Sequence, residues 1–359
     1  MQKFLADVNI VDLSQYIPGP FASLMLSDMG ANVIKVEPPG GDEMIRLGPK
    51  DIDGHPVFYN ALNAGKSVAH IDLKSASGKQ NLMDLLETAD ILIEGFRPGV
   101  VARLGFDYET LSASHPRLIY CSISGYGPTG PLANVASHDG NYLATSGIMD
   151  RNGDLKPVFY DPPVADMTGA LFAAMAILGA LHGRASTNKG VFIDLGLADA
   201  LMPLQLLQIA DWGANGTVPK RHSNYLNGGA AYYQVYGTAD GRDIMLGSVE
   251  PKFWTNFCHA ANRPDWIDRQ HESFPQHALI AEVSSFFQSR SLDDLQDMLA
   301  GVDCCFSPVL DLGEALTSEQ TVERDLVCAT EAGMQALFPA KFDNCRAPDR
   351  PALKVHAFS

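Results

Sequence analysis

The chain has 359 residues and a mass of 38.7 kDa, a length that exceeds a single hydrophobic core and predicts two domains. Hydrophobic residues at 46% and charged residues at 19% exclude a disordered chain. A formal net charge of −16 and a pI near 4.9 argue against nucleic acid or an anionic membrane as the main partner, so an anionic ligand has to be met by local Lys and Arg groups.

Residues 8–13 read as a first strand, and the I-P-G-P turn at 17–20 feeds a helix that stops at Gly30 before a second strand over 32–36. A Gly- and Pro-bearing loop to about Gly65 precedes a strand over 67–72, a helix over 75–88 and a strand over 90–94; another strand, over 117–124, follows a short helical piece. Strands alternating with helices predict an α/β fold, with a large Rossmann-like domain, a mostly parallel sheet and a ligand crevice at the carboxyl ends of the strands. A buried helix from Asp166, a strand over 191–195 and a helix from Leu197 toward Trp212, interrupted near Pro203, follow. The polar stretch 213–227 reads as a linker. Residues 228–246 alternate like a hairpin turning at Ala239, Asp240 and Gly241, and amphipathic helices around 253–261, 278–289 and 292–300 complete a smaller α+β domain. The expected organisation is a large domain over 1–200 completed by 320–359, a linker over 201–227 and a small domain over 228–319.

Six cysteines show neither C-x-x-C nor a His at zinc spacing, which predicts reduced thiols and no metal site. The N-terminus M-Q-K-F-L-A-D has no signal-peptide run, the C-terminal H-A-F-S is not the peroxisomal S-K-L, and the apolar stretch 170–181 is short and Gly-interrupted. The expectation is a cytoplasmic protein without a membrane segment.

Two ionisable residues stand where chemistry is usually mounted. His138 follows the loop leaving the strand over 117–124, and Asp166 stands before a long apolar run, where it reads as the N-cap of a helix, near unpaired N–H groups able to hold a substrate anion. Gly169 would admit a ligand close to that helix. Gly125, Gly127 and Gly130 match a dinucleotide fingerprint formally, but Pro128 and Pro131 interrupt the place where its phosphate-binding helix would begin, and no nicotinamide or flavin site is expected.

An ordered set of motifs resembles the family III CoA-transferases, and within them the α-methylacyl-CoA racemases. It comprises I-P-G-P-F at 17–21, L-x-D-x-G-A-x-V-I-K-V-E at 26–37, I-D-L-K at 71–74, F-R-P-G at 96–99, P-R-L-I-Y at 116–120, S-G-Y-G-x-T-G at 124–130, H-D-x-N-Y at 138–142, G-G-A-x-Y-x-x-x-Y-x-T-A-D-G at 228–241, V-E-P-x-F at 249–253 and S-P-V-L at 307–310. The resemblance implies that Asp166 is the nucleophile of CoA transfer in the wider family but an acid/base in the racemase branch, which adds His138, with Glu250 supporting the pair. It implies CoA contacts at Ile71, Asp72, Leu73, Lys74, Arg97 and Arg103. The segment Ser137, Asp139, Gly140, Asn141 and Tyr142 would line the thioester end. It also implies an interlocked homodimer that brings Glu250 to His138. Pro38 departs from a pattern arginine, Met-Thr-Gly follows Asp166 in place of a glycine-richer run, and the pattern continues past Ser359.

Inverting the carbon beside a thioester requires two proton carriers on opposite faces, and His138 and Asp166 can be that pair. The expected activity is a 2-methylacyl-CoA racemase working through an enolate, with CoA entering as part of the substrate and no separate cofactor. The rival is a CoA-transferase in which Asp166 forms an acyl anhydride and then an enzyme–CoA thioester. A silent acyl-CoA-binding protein would need neither residue.

Overall fold

The computed structural model describes residues 3–356. Its strands are β1 (Asn9–Asp12), β2 (Asn32–Glu37), β3 (Ser67–His70), β4 (Ile91–Glu94), β5 (Ile119–Ser124), β6 (Phe192–Gly196), β7 (Tyr233–Gly237), β8 (Asp243–Gly247), β9 (Phe306–Pro308), β10 (Val327–Thr330), β11 (Gly333–Ala336) and β12 (Lys354–Val355). The helices are α1 (Pro18–Asp28), α2 (Val57–Asn63), α3 (Ala76–Leu86), α4 (Val100–Leu104), α5 (Tyr108–Ser114), α6 (Asp139–Thr145), α7 (Val164–Thr187), α8 (Leu206–Asn215), α9 (Pro251–Ala260), α10 (His277–Gln288), α11 (Leu292–Leu299), α12 (Leu312–Thr317) and α13 (Glu319–Arg324).

The chain forms two units. The first comprises Met1–Ser146, Tyr160–Leu204 and Ser318–Ser359. Its sheet runs β12-β3-β2-β1-β4-β5-β6 with every pair parallel. Parallel strands covered on both faces need continuous apolar runs, and I-L-I-E of β4 is buried along its whole length. Pro18 opens α1 at a position whose N–H has no helical partner, and Gly30, at φ +108°, supplies the left-handed turn into β2. The last segment is tied to α1 by a buried, two-pronged ion pair: Arg350 donates to both oxygens of Asp28 at 2.7 Å. The edge strand β3 is in turn completed by β12, with Lys354 beside Ser67 and Val355 beside Val68.

Helix α7 packs against α1, β5 and β6. Its 24 residues are long and apolar enough to cross a bilayer by length and composition, more than the run 170–181 suggested. Arg184 in its last turn is buried against Asp90 at 2.8 Å, and Ala170, Ala173 and Ile177 are sealed inside the unit, as for a core helix lying on a sheet.

The second unit comprises Gly147–Phe159 and Gln205–Thr317. Strands β7, β8 and β9 form an antiparallel sheet over a core of Trp254, Phe257, Trp266, Phe286 and Phe287. The excursion 147–159, expected within the large domain, groups here because Arg221 donates to the Asp150 and Asp154 carbonyls at 2.7 and 2.8 Å. The stretch 201–227, expected as a linker, carries two 3-10 turns and α8, and from Gln205 onward belongs to this unit.

Candidate active site

Sheet order reverses between β1 and β4, and a crevice opens where the loops leaving neighbouring strands part at such a point. A cavity of about 410 Å³ lies there, lined by Ser14–Tyr16 after β1, Phe96–Pro98 after β4 and Ser124–Tyr126 after β5, with Ser137, His138, Tyr142 and Asp166. A glycine is required at position 19, because a Cβ there would stand 1.9 Å from the Ser14 Oγ. Buried Asp12 holds the Ser14 hydroxyl, and buried Lys35 donates to the Ser14 carbonyl at 2.7 Å, so the β1 loop is fixed from beneath. Tyr16 adopts φ +64°, an unusual left-handed conformation for a non-glycine residue, at the cavity wall.

His138 and Asp166 therefore face one cavity, although 27 residues separate them in sequence. Their local settings differ from the expected ones. Asp166 is not the N-cap of α7: Pro163 holds that position without a side-chain bond, and Asp166 lies in the first turn. Its backbone N–H is not available to a substrate anion either, because it donates to Asp139 Oδ1 at 3.0 Å. Burial, and then the neighbouring Asp139 carboxylate, push the Asp166 carboxyl up from 3.8 to about 7. His138 opens α6, with its own N–H donating to Asn141 Oδ1 at 3.0 Å. Gly125 allows Tyr142 against the end of β5, where the Tyr142 and Ser137 hydroxyls bond at 3.1 Å.

The other expected site residues divide. Arg97 lines the main cavity, whereas Asp139, Gly140 and Asn141 do not: the carboxylate of Asp139 and the amide of Asn141 are spent on helix starts. Ile71, Asp72, Leu73 and Lys74 line a second cavity of about 220 Å³, walled also by Val36, Pro38, Val100 and Leu104. The two cavities adjoin, with Gln15 and Phe96 lining both. Arg103 lines neither, being exposed at the end of α4 with its guanidinium near Gly99. Glu250 belongs to the second unit, where it is exposed at the start of α9. Gly169 admits the Leu197 side chain, which fills the space expected for a ligand. The loop with Gly125, Gly127 and Gly130 reaches α6 without opening a phosphate-binding helix. Sequence reasoning did not single out Ser14, Gln15, Tyr16 and Tyr126; the I-P-G-P turn directly after β1 was the available signal for the first three.

A parallel sheet with its crevice at the strand ends, and a cavity there faced by an imidazole and a carboxyl from two helix starts, make the architecture of an α/β enzyme. The chain belongs to CoA-transferase family III, matching that family over residues 5–355. It is 30% identical to the acetyl-CoA:oxalate CoA-transferase of Acetobacter aceti over 95% of this chain and 90% of that one, and 31% identical to human α-methylacyl-CoA racemase over 91% and 83%. A CaiB/BaiF family protein from Brucella suis superposes with a TM-score of 0.88 at 29% identity, covering 99% of this chain and 97% of that one.

Proposed function

We propose that the protein is an acyl-CoA racemase that inverts the carbon beside the thioester of a 2-methylacyl-CoA by proton transfer between His138 and Asp166. The observation that carries this reading is the Asp166 carboxyl, facing the same cavity as His138 and pushed up to about 7. A group with that proton affinity both takes and returns a proton near neutral pH, whereas a carboxylate serving as a nucleophile gains nothing from holding a proton. One residue removes the proton on one face while the other returns a proton on the opposite face, and the electron pair rests between these steps on the thioester oxygen as an enolate. CoA enters as part of the substrate, its elongated chain running along the two adjoining cavities, with Lys74 and Arg97 supplying positive charge. No further cofactor enters the proposal.

The second reading is CoA transfer between carboxylic acids, favoured by the similarity to the acetyl-CoA:oxalate enzyme, which extends over slightly more of the chain than that to the racemase. Incubation with a chiral 2-methylacyl-CoA in heavy water separates the two. The racemase reading requires deuterium at the α-carbon, loss of chirality and no adduct on Asp166; a hydroxylamine-sensitive adduct there, with CoA passed to a free acid and no deuterium, would refute it.

A cytoplasmic homodimer is part of the proposal. Helix α8 buries none of its residues and exposes Leu206, Leu207, Ile209 and Trp212, a face that a second copy would cover. All six cysteines are unpaired, as suits a reducing compartment. The C-terminal residues 357–359, part of the reading against a peroxisomal address, lie outside the described residues.

A further inference from the structure

The first turn of α7 needs acceptors for its unpaired N–H groups, and Pro163 at the N-cap has no side-chain oxygen to offer. The acceptor comes from 27 residues earlier in the chain: Asp139, the first residue of α6, takes the Asp166 N–H at 3.0 Å. Asp139 is also covalently joined to His138, whose backbone is held by Asn141. A single side chain thus links the two helix starts that carry the proposed proton carriers, and it does so without lining the cavity. We infer that Asp139 is a positioning residue, which holds the backbone of Asp166 in register with His138 and keeps a fixed negative charge beside the Asp166 carboxyl.

The electrostatics favour this role over a simple cap. A helix N-terminus stabilises an ionised carboxylate in its first turn, which alone would draw the Asp166 proton affinity down. Burial opposes this, and the Asp139 charge adds to burial, so the side chain that secures the helix also counteracts its dipole. The titratable groups around the cavity are His138 and Tyr142 from α6, Tyr16 after β1, Arg97 after β4 and Tyr126 after β5. Of these, Arg97 alone carries a permanent charge, and it is of the opposite sign to that of Asp139.

The inference rests on the reading of Asp166 as a proton carrier, and the test separates the two. Asp139→Asn keeps an oxygen for the Asp166 N–H and removes the charge; Asp139→Ala removes both. In protein labelled with 13C-aspartate, with the Asp166 signal assigned by its loss in Asp166→Asn, the Asp166 titration midpoint should fall in Asp139→Asn by roughly one pH unit, a tenfold loss of proton affinity. The pH profile of α-proton exchange should move with it, and Asp139→Ala should lose more exchange than Asp139→Asn. An unchanged midpoint in a folded Asp139→Asn variant would overturn the inference while leaving the racemase reading intact. A lowered midpoint in a protein whose wild type exchanges no α-proton would do the reverse. Should Asp139→Ala fail to fold, the isosteric variant decides the matter alone.

Discussion

Replacing Asp166 by Asn should stabilise the protein at high pH and not at low pH. The unfolded chain releases this proton near 3.8, whereas the folded protein holds it to about 7. Between those values the native state binds the extra proton, so rising pH costs the wild type stability through that window and no more above it. At about 1.36 kcal/mol per pH unit the gap corresponds to a ceiling of about 4 kcal/mol; solvent reaching the carboxyl through the cavity brings the expected cost to about 2 kcal/mol. Asn keeps the shape and has no proton to lose, so its advantage should be near zero at pH 4 and reach about 2 kcal/mol at pH 8. At an unfolding entropy of about 2.1 cal/mol/K per residue, that is a gain of about 3 °C in Tm for a chain of this length. Calorimetric scans of both proteins across this pH range measure the difference directly. An equal Tm offset at pH 4 and pH 8, or a variant less stable at pH 8, would refute the assignment of a raised proton affinity to Asp166.

His138→Ala should abolish α-proton exchange while CoA affinity, read by calorimetric titration, changes less than about threefold, because the proposed role of the imidazole, which lines the cavity, is proton transfer and not phosphate binding. Lys74→Ala should raise the Kd for CoA about tenfold and leave turnover at saturation nearly unchanged, the pattern of a group that binds ground and transition states equally. Arg350→Met leaves the Asp28 carboxylate buried without its partner and should cost about 3–5 kcal/mol, seen as a lowered unfolding midpoint in denaturant. Gly19→Ala forces a Cβ onto the Ser14 Oγ and should cost about 1–3 kcal/mol, with substrate binding weakened more than Tm suggests. Light scattering should give twice the monomer mass, and Trp212→Glu should lower it to that of one chain.

Six of the seven strands of the large sheet, β1 to β6, were legible within a few residues because Gly, Pro or Asp bounds their short runs, whereas the two-residue β12 carries no such signal. The reading of Asp166 as a cap shows where local pattern fails: an Asp before an apolar run has the composition of a cap, but the N-cap is Pro163, three residues earlier, and the acceptor the first turn needs comes from Asp139. No spacing rule reports a partner 27 residues away. The excursion 147–159 was hidden for a similar reason, since its grouping depends on Arg221, some seventy residues downstream. His138, Asp166 and Arg97 were findable as residue types beside loops, whereas the proton affinity of Asp166 arises only when folding buries it beside another carboxylate.

The late arrival of β12 on β3 sets an order of events for a growing polypeptide. Everything needed for β1 to β6 has been translated by Gly196, but the residues that cover the outer edge of β3 follow about 160 residues later. At ordinary elongation rates that is a wait on the order of ten seconds, during which the second unit emerges and folds. Throughout it, the Ser67–His70 backbone presents unpaired donors and acceptors to any extended peptide nearby. Asp28 waits equally long for Arg350, so a nascent large unit carries both a sticky edge and an unneutralised interior charge, and ribosome-bound chains halted before Lys354 are the stage at which a chaperone has most to protect.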